Sequence, residues 1–514
     1  MKELRYITTP IYYVNDIAHI GHTYTSIIAD ILARFYRLKG HDTLFLTGTD
    51  EHGQKIEQAA TLKGYDPRKY ADIISADFKD LWDSIGISYD IYARTTDQRH
   101  IECVKEIFQK IYNNGDIYKG HYEGQYCISC ETFFTKTQLK AELYCPDCGK
   151  QVHLVKEESY FFALSKYQDK ILQWYEKADP IIPNNKKSEL INFVKSGLKD
   201  LSITRTSFNW GIKLPKSLND EKHIIYVWLD ALFIYLSSLD YVNDGANTRF
   251  FPAYMHLVGK DILKFHAIYW PAFLMSAGLE LPKYIASHGW WTINGEKMSK
   301  SKGNVINPRK LIKIYGIDPI RYFLLKEVPF GNDGDFNEKA LISRINNELC
   351  NELGNLLNRI IGMSNKYCEL KIKSDQITKY FKDELKENKD YLDQALIYLE
   401  KVQTSKYLEE LFKSLALANN IISKYEPWKL IKNDESKAKA LIALSTNILA
   451  KVSILLSPVM PDTCKKISKA LNYEINTQNY EYLINENNNI DFVITPCEIL
   501  FKKIEDDIVL KDAF

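Results

Sequence analysis

No window of about twenty apolar residues is apparent in the 514-residue chain, so no membrane span is expected. Met1-Lys2-Glu3-Leu4-Arg5 leads straight into a β-prone stretch without the layout of a signal peptide, and a soluble, cytoplasmic protein is expected. Net charge is also nearly absent, because 67 Lys and Arg stand against 66 Asp and Glu and leave +1 at pH 7. That balance excludes a global basic field of the kind that announces nucleic acid, while leaving local patches able to bind one. Internal repeats and low-complexity linkers are missing too. Length is not lacking: 514 residues exceed one ordinary core and imply two to four domains.

Cysteine is sparse, nine in all, and five of the nine (103, 350, 368, 464 and 497) are scattered. The other four form Cys127-x2-Cys130 and Cys145-x2-Cys148 with fourteen residues between the pairs. In a reducing compartment this spacing argues for one Zn²⁺ held tetrahedrally by four thiolates. A disulfide pair is disfavoured by the compartment, and a catalytic zinc would usually keep a ligand position open. The expected role is structural, stapling a small insert that has little core of its own.

Two basic signatures stand far apart, each at the mouth of a strand-helix-strand pattern. The first pattern opens with Leu4-Arg5-Tyr6-Ile7-Thr8, turns helical from His22 to Leu38 where Ile27, Ile28, Ile31, Leu32 and Phe35 recur at spacings of three and four, and closes with Thr43 to Thr47. This layout predicts a right-handed parallel crossover, with His19-Ile20-Gly21-His22 and Thr49-Asp50-Glu51-His52-Gly53 at strand carboxyl ends, the edge where open α/β sheets bind ligands. A helix N-terminus offers N–H groups and partial positive charge to an anion, Gly21 leaves room for a nucleotide, and two imidazoles can donate to phosphate oxygens. Alone, His-x-x-His is as readily an accident or half a metal site.

The second pattern runs through Tyr254 to Val258, a helical stretch from Phe265 to Ala277 that includes Pro271, and Tyr284 to Ser287. Gly295-Glu296-Lys297-Met298-Ser299-Lys300-Ser301-Lys302-Gly303 follows, a loop with three lysines. Mobile point charges suit phosphates that separate during a reaction, although a solvated basic loop fits the same letters. The two signatures together point to ATP phosphates gathered over a single sheet edge.

The expected organisation is a Rossmann-like parallel-sheet catalytic domain in two halves, 1–117 and 225–290, around an insertion with the knuckle at 118–224. A loop and stem-contact region at 291–340 and a helical domain at 341–514 follow. Ile342, Ile345, Leu349, Leu353, Leu356, Leu357 and Ile360 predict one amphipathic helix, and similar patterns occupy 379–402, 406–424 and 436–456.

With both signatures, the knuckle and the helical tail in view, the chain resembles the methionyl-tRNA synthetases of class I, from about Tyr6 to Lys466. Five further stretches carry the resemblance: Thr8-Thr9-Pro10-Ile11-Tyr12-Tyr13-Val14-Asn15, Thr47-Gly48-Thr49-Asp50-Glu51-His52-Gly53, Val227-Trp228-Leu229-Asp230-Ala231, Gly259-Lys260-Asp261-Ile262 and Glu426-Pro427-Trp428. It implies a two-step reaction in which methionine and ATP give methionyl-adenylate and pyrophosphate. The acyl group then passes to the terminal adenosine of tRNA(Met), initiator or elongator, with Mg²⁺ accompanying the ATP.

By the resemblance His19, Gly21 and His22 bind the ATP phosphates, Lys297 and Lys300 stabilise the departing pyrophosphate, and Gly259, Asp261 and His288 bind the ribose and adenine side. Asp50 takes the substrate ammonium; Ile11, Trp228, Ala231, Ile262 and Trp270 form walls; Tyr12 also binds methionine; Tyr235 and His266 are candidate donors to the sulfur. An unbranched thioether offers only a polarizable, weakly accepting sulfur, so an aromatic pocket with one or two donors is what selectivity demands. Without the family, Trp228 and Trp270 read as core packing. Asn355, Arg359 and Trp428 match the family's readers of the CAU anticodon, and an aromatic beside an amide and a guanidinium suits an unstacked base. The chain departs from some members in having one knuckle rather than two and no dimerisation module after the bundle, so a monomer is expected.

Overall fold

The computed structural model describes residues 2–127, 132–134, 139–141, 143–146, 149–298 and 305–505; the side chains of 122–123, 132–134, 155–157 and 297 lie outside the description. Two compact units emerge. One comprises Leu4–Ala18 and Leu44–Ser287, the other Met1–Glu3, His19–Thr43 and His288–Phe514.

The first unit is built on a seven-stranded sheet of β1 (Leu4–Thr8), β2 (Tyr12–Tyr13), β3 (Asp42–Asp50), β4 (Ile91–Arg94), β5 (Ile181–Ile182), β6 (Met255–Gly259) and β7 (Tyr284–His288). Their order is β2-β3-β1-β6-β7-β5, with β4 also pairing β3. The pairs β1–β6, β2–β3, β3–β4 and β5–β7 are parallel. From Leu44 to Asp50, β3 is buried at every residue rather than at alternate ones, as a parallel sheet covered on both faces requires. Gly48 allows the close approach of β4, since a Cβ there would stand 2.0 Å from the Ala93 carbonyl oxygen.

Residues 118–224 contribute in two ways. Thr132–Phe134, Ile117–Cys127, His153–Phe162 and Leu201–Ser202 form a separate four-stranded sheet, while β5 joins the large one. The stretch expected to be helical around Pro271 is two segments. A π-helical turn over Phe265–Tyr269 runs into a helix at Trp270–Ser276. Pro271 falls in the first turn, where its missing N–H deprives no carbonyl, and the wide turn keeps His266 and Trp270 near one face.

In the second unit, α1 (Ile20–Leu38) is amphipathic and capped by His19. Asp30, fully buried on α1, meets Arg321 Nη2 at 2.5 Å and Arg34 Nε at 2.8 Å. Arg321 also donates to the carbonyls of Pro458 and Val459. The helix expected over Ile342–Ile360 is longer: Glu338–Arg344, a ten-residue π segment at Ile345–Gly354, then Asn355–Tyr367. Three further expected helices stand at Lys382–Glu400, Thr404–Tyr425 and Glu435–Leu456.

Glu435–Leu456 qualifies the expectation that no window of about twenty apolar residues occurs. An 18-residue window in it has mean hydropathy 1.6, and 94% of that window is buried. An all-round apolar helix belongs at the centre of a bundle, and this one packs against Asn355–Tyr367, Lys382–Glu400, Thr404–Tyr425 and Pro461–Leu471. The last segment returns to the bundle, where Lys371–Ile372 pairs antiparallel with Phe492–Val493.

Lys451 lies within that central helix, 1% exposed, and donates from Nζ to the Asn487 side-chain oxygen at 2.8 Å and to its carbonyl at 3.3 Å. Burial, then the charge of Lys389, pulls its pKa down to about 7. Between that value and the ordinary lysine pKa of roughly 10.4, the unfolded chain binds a proton that the native chain lacks, so stability rises with pH across the window. Lys451→Met is expected to abolish this rise and to stabilise the bundle at pH 7.5 by roughly 1–3 kcal/mol. Denaturant midpoints measured at several pH values from 7 to 10 test this, and an unchanged pH slope in the variant would refute it.

Candidate active site

The carboxyl end of β3 places three polar side chains in a row inside the protein. Asp50 is its last residue, 8% exposed, and its carbonyl accepts the Val14 N–H at 3.1 Å. Glu51, fully buried, is gripped by Arg94 through Nε at 2.6 Å and Nη2 at 2.9 Å, and accepts from Thr49 at 2.7 Å and from Thr96. Its backbone N–H donates to Thr95 and its carbonyl accepts the Trp210 indole at 2.5 Å. His52 bonds through Nδ1 to Asp230 at 2.7 Å. Gly53, with φ +110°, makes the turn into the helix Gln54–Leu62.

The expected methionine residues fall in the same unit and divide by burial. Tyr235, His266 and Trp270 are buried, whereas Ile11, Trp228, Ala231 and Ile262 are half-buried. Ile11 and Ile262 pack against the large hydrophobic core that holds Tyr235 and Trp270. Trp228 stacks on Phe265 with centroids 3.5 Å apart and rings within 5° of parallel. The Tyr12 ring packs on Phe78 and Trp82 at 5.6 and 5.5 Å, and its neighbour Tyr13 is the more exposed of the two.

Hydrogen bonds settle the ring protons. His266 Nδ1 lies 3.0 Å from the Ile262 carbonyl, which can only accept, so that nitrogen carries hydrogen. Burial lowers the pKa of His266 to about 4. The ring is therefore neutral at pH 7, and its Nε2 accepts the Tyr235 hydroxyl at 2.7 Å. His256 beneath it accepts the Trp270 indole N–H at Nε2 (3.2 Å) and donates from Nδ1 to Thr8 at 2.7 Å. Its pKa is held well below the ordinary value by burial and by His266. Tyr235 is pushed up chiefly by burial and further by Tyr12 and Asp50, so a carboxylate and a neutral phenol lie within electrostatic reach of each other.

His19 and His22, in the other unit, form a reciprocal cap on α1. His19 Nδ1 accepts the Gly21 N–H at 3.0 Å and His22 Nδ1 accepts the His19 N–H at 3.2 Å, with the rings stacked 3.8 Å apart. Each neutral ring thus carries its hydrogen on Nε2. The helix amides are less available than the sequence implied, because Ile20 N–H donates to Ile306 and His22 N–H to His19. Gly21 also meets a demand within the chain, since a Cβ there would come within 2.9 Å of the His19 ring. His288 is engaged at both nitrogens, by Thr25 and by the Gly289 carbonyl, each at 2.7 Å.

Gly259 closes β6, and the Ile262 N–H bonds back to it across a turn that holds exposed Asp261. The backbone of Lys297 pairs with Thr292, and its side chain and the whole of Lys300 lie outside the described residues. Cys127 and Cys145 are both fully buried, with Val152 and with Leu139 beside them, while Cys130 and Cys148 lie outside the described residues. In the bundle, Asn355 is exposed and Arg359 half-buried one turn on, its Nη1 3.4 Å from Asn419. Trp428 is 39% exposed on a four-residue helix that follows Glu426, whose φ is +43°.

Sequence reasoning passed over several polar residues of the first unit. Asp230 and His52 lie inside stretches quoted for the resemblance but received no role, and His100 carries no local signal. Arg205 is buried with its guanidinium 4.0 Å from the Tyr226 ring centroid, donating from Nη1 to Thr204 at 2.7 Å and Ser202 at 2.9 Å. In Ile203-Thr204-Arg205 it reads as a solvated strand residue.

The chain matches the family model described as tRNA synthetases class I (M) at residues 5–153 and 148–361, and the anticodon binding domain of methionyl tRNA ligase at 375–511. It is 65% identical to the methionine--tRNA ligase of Campylobacter jejuni subsp. jejuni over 98% of this chain and 80% of that one. To the methionine--tRNA ligase of Rickettsia felis it is 46% identical over 99% and 100%. The solved structure of Mycobacterium tuberculosis methionyl-tRNA synthetase in complex with methionyl-adenylate superposes with TM-score 0.91 at 37% identity, over 97% of this chain and 99% of that one. On likeness at that level across nearly its whole length, the chain belongs to the class I methionyl-tRNA synthetase family.

Proposed function

We infer that the chain ligates L-methionine to tRNA(Met) in two steps, forming methionyl-adenylate from ATP with release of pyrophosphate and then passing the acyl group to the tRNA 3′-terminal adenosine. The observation that carries the assignment of the amino acid is the buried Asp50 carboxylate near the neutral Tyr235–His266 pair. A buried carboxylate favours a cation beside it, and the substrate ammonium is such a cation. A thioether carries no charge, so a phenol and an imidazole both held neutral by burial match it, where charged groups would lose hydration without return.

Between Tyr235 and His266, the hydrogen-bond pattern supports Tyr235 as the donor to sulfur. His266 commits its one hydrogen to the Ile262 carbonyl and has none for sulfur. The Tyr235 hydroxyl then carries the pair's remaining hydrogen, given to His266 Nε2 and available to be shared with the thioether. Ile11, Trp228, Ala231, Ile262 and Trp270 supply apolar walls. Tyr12 braces the site from its packing on Phe78 and Trp82.

In adenylate formation the substrate carboxylate attacks the α-phosphate in line. A carboxylate is already a nucleophile, so no strong base is required, and positioning and charge stabilisation carry the catalysis. His19 and His22, their Nδ1 atoms capping the helix, offer Nε2–H to phosphate oxygens. Lys297 and Lys300 neutralise the departing pyrophosphate, Mg²⁺ accompanies the ATP, and Gly259 and Asp261 bind its nucleoside end. His288 orients α1 through Thr25. Asn355, Arg359 and Trp428 read the anticodon in the helical domain, proposed to span 341–514, by stacking and hydrogen bonding to unstacked bases.

One structural Zn²⁺ fits the knuckle. The two described cysteines are buried together, and thiolates are the ligands that structural zinc prefers. Cys127, Cys130, Cys145 and Cys148 would hold it, and it would supply folding energy to a segment with little core.

Amino-acid-dependent pyrophosphate exchange is expected to respond to methionine far above leucine or cysteine, and Tyr235→Phe to raise the methionine KM about tenfold. Silence with every amino acid would favour a tRNA-binding protein without chemistry, and an unchanged KM would remove Tyr235 from the sulfur. Trp428→Ala is expected to weaken tRNA aminoacylation while sparing exchange; equal loss of both would end its assignment to the anticodon. Elemental analysis is expected to find about one zinc per chain, and finding none would overturn the knuckle.

A further inference from the structure

One buried polar cluster of the first unit takes no part in the proposed reaction. Asp230 is fully buried, and both its carboxylate oxygens are occupied by imidazoles. His52 Nδ1 lies 2.7 Å from one oxygen and His100 Nε2 lies 2.6 Å from the other. The other nitrogen of His100, Nδ1, lies 2.8 Å from the Ser237 hydroxyl. Since the carboxylate accepts, His52 Nδ1 and His100 Nε2 both carry hydrogen, and in neutral His100 the Ser237 hydroxyl donates to Nδ1. The hydroxyl of Ser237 is also 3.4 Å from the Ile234 carbonyl.

The cluster joins four pieces of chain. His52 stands two residues beyond Asp50 at the end of β3, and His100 lies on the helix Gln98–Asn113. Asp230 belongs to the six-residue helix Val227–Leu232, and Ser237 ends the four-residue helix Ile234–Ser237. Those two short helices carry Trp228, Ala231 and Tyr235. Helices of one turn or so do not hold their own shape or place. Two residues along a helix is a rotation of roughly 200°, so Asp230 points away from the face of Trp228, and Ser237 away from that of Tyr235. Each short helix is thus held at a residue on the side opposite Trp228 or Tyr235.

We propose that His100 is a positioning residue for methionine recognition: through Asp230 and Ser237 it fixes the two short helices that carry Trp228, Ala231 and Tyr235, and through Asp230 and His52 it ties them to the strand end that carries Asp50. A substrate that bridges an ammonium acceptor and an aromatic wall needs that separation held constant. The methionine KM should therefore depend on the clamp, whereas ATP binding should not.

This inference rests on the assignment of Asp50, Trp228, Ala231 and Tyr235 to methionine, and the test separates the two. Pyrophosphate exchange on the full-length chain, with methionine and ATP varied in turn, would be measured for Asp230→Asn, His100→Gln, Ser237→Ala and Trp228→Ala. Asp230→Asn and His100→Gln are expected to raise the methionine KM tenfold or more, by about the worth of a buried hydrogen bond to a charged group. Ser237→Ala, which removes a single neutral bond and leaves the fold intact, is expected to raise it about threefold, and in all three the ATP KM stays within twofold of the parent. An unchanged methionine KM in Ser237→Ala, or methionine and ATP KM values rising together in the other two, would overturn the positioning role. If Trp228→Ala itself leaves the methionine KM unchanged, the assignment of the methionine site fails, whatever the clamp variants do.

Discussion

The carboxyl end of β3 is the constraint on which the rest of the first unit depends. A parallel strand covered on both faces has no exposed side on which to place polar residues, yet Asp50, Glu51 and His52 follow one another where this strand stops. Each is compensated by a different element: Glu51 by the Arg94 guanidinium, His52 by Asp230, and Asp50, under the proposed function, by the ammonium of the substrate. The first two compensations are internal and permanent. Under the proposed function the third belongs to the binding of substrate.

Buried ion pairs contribute little to stability, since desolvation can exceed the Coulombic gain. The Glu51–Arg94 pair is better understood as a device for register. Glu51 accepts from Arg94 and Thr96 and, through its backbone, bonds Thr95, so the end of β3 is locked to the residues at and just after the end of β4. A one-residue slip of β3 would strand a charge, which is a steeper penalty than any apolar contact at that place could impose. The neutral histidines work in the opposite sense. His256 and His266 are stripped of charge by burial, and each keeps a single ring hydrogen whose position is fixed by a Thr8 oxygen or an Ile262 carbonyl. With the hydrogens assigned, Trp270 and Tyr235 have only one way to orient.

How much of this could be read from the letters differs by element. β3 and α1 were legible because apolar runs and a 3.6-residue period leave direct traces, and the tail helices near 382–400 and 404–425 for the same reason. Glu435–Leu456 was placed correctly but its nature was missed, since a helix apolar on all sides betrays its burial by composition and not by period. The two-residue strand β5 left no trace, because a pairing of that length is a tertiary event. At the proposed site, Asp50, Tyr235 and His266 drew notice through the resemblance. His100 did not, for its meaning lies in partners 130 and 137 residues away. A second demand on Gly21 left no trace, because the ring that needs the space belongs to His19, two residues earlier on the same chain.

The two recognition tasks in this chain also explain why its sites look so different. A methyl thioether differs from other apolar side chains by little more than one polarizable atom, and a hydrophobic pocket alone separates such neighbours only modestly. Discrimination then has to come from a rigid arrangement of polar atoms with every hydrogen assigned, and buried networks of the Tyr235–His266–Ile262 kind provide that rigidity. An unstacked base brings a large π-face and many edge groups of its own. Its reader must instead be accessible, and the proposed readers are: Trp428 is 39% exposed just past a left-handed turn, with Asn355 exposed and Arg359 half-exposed on their helix. Burial is therefore not a measure of importance in this protein; it follows how small a chemical difference each site has to sense.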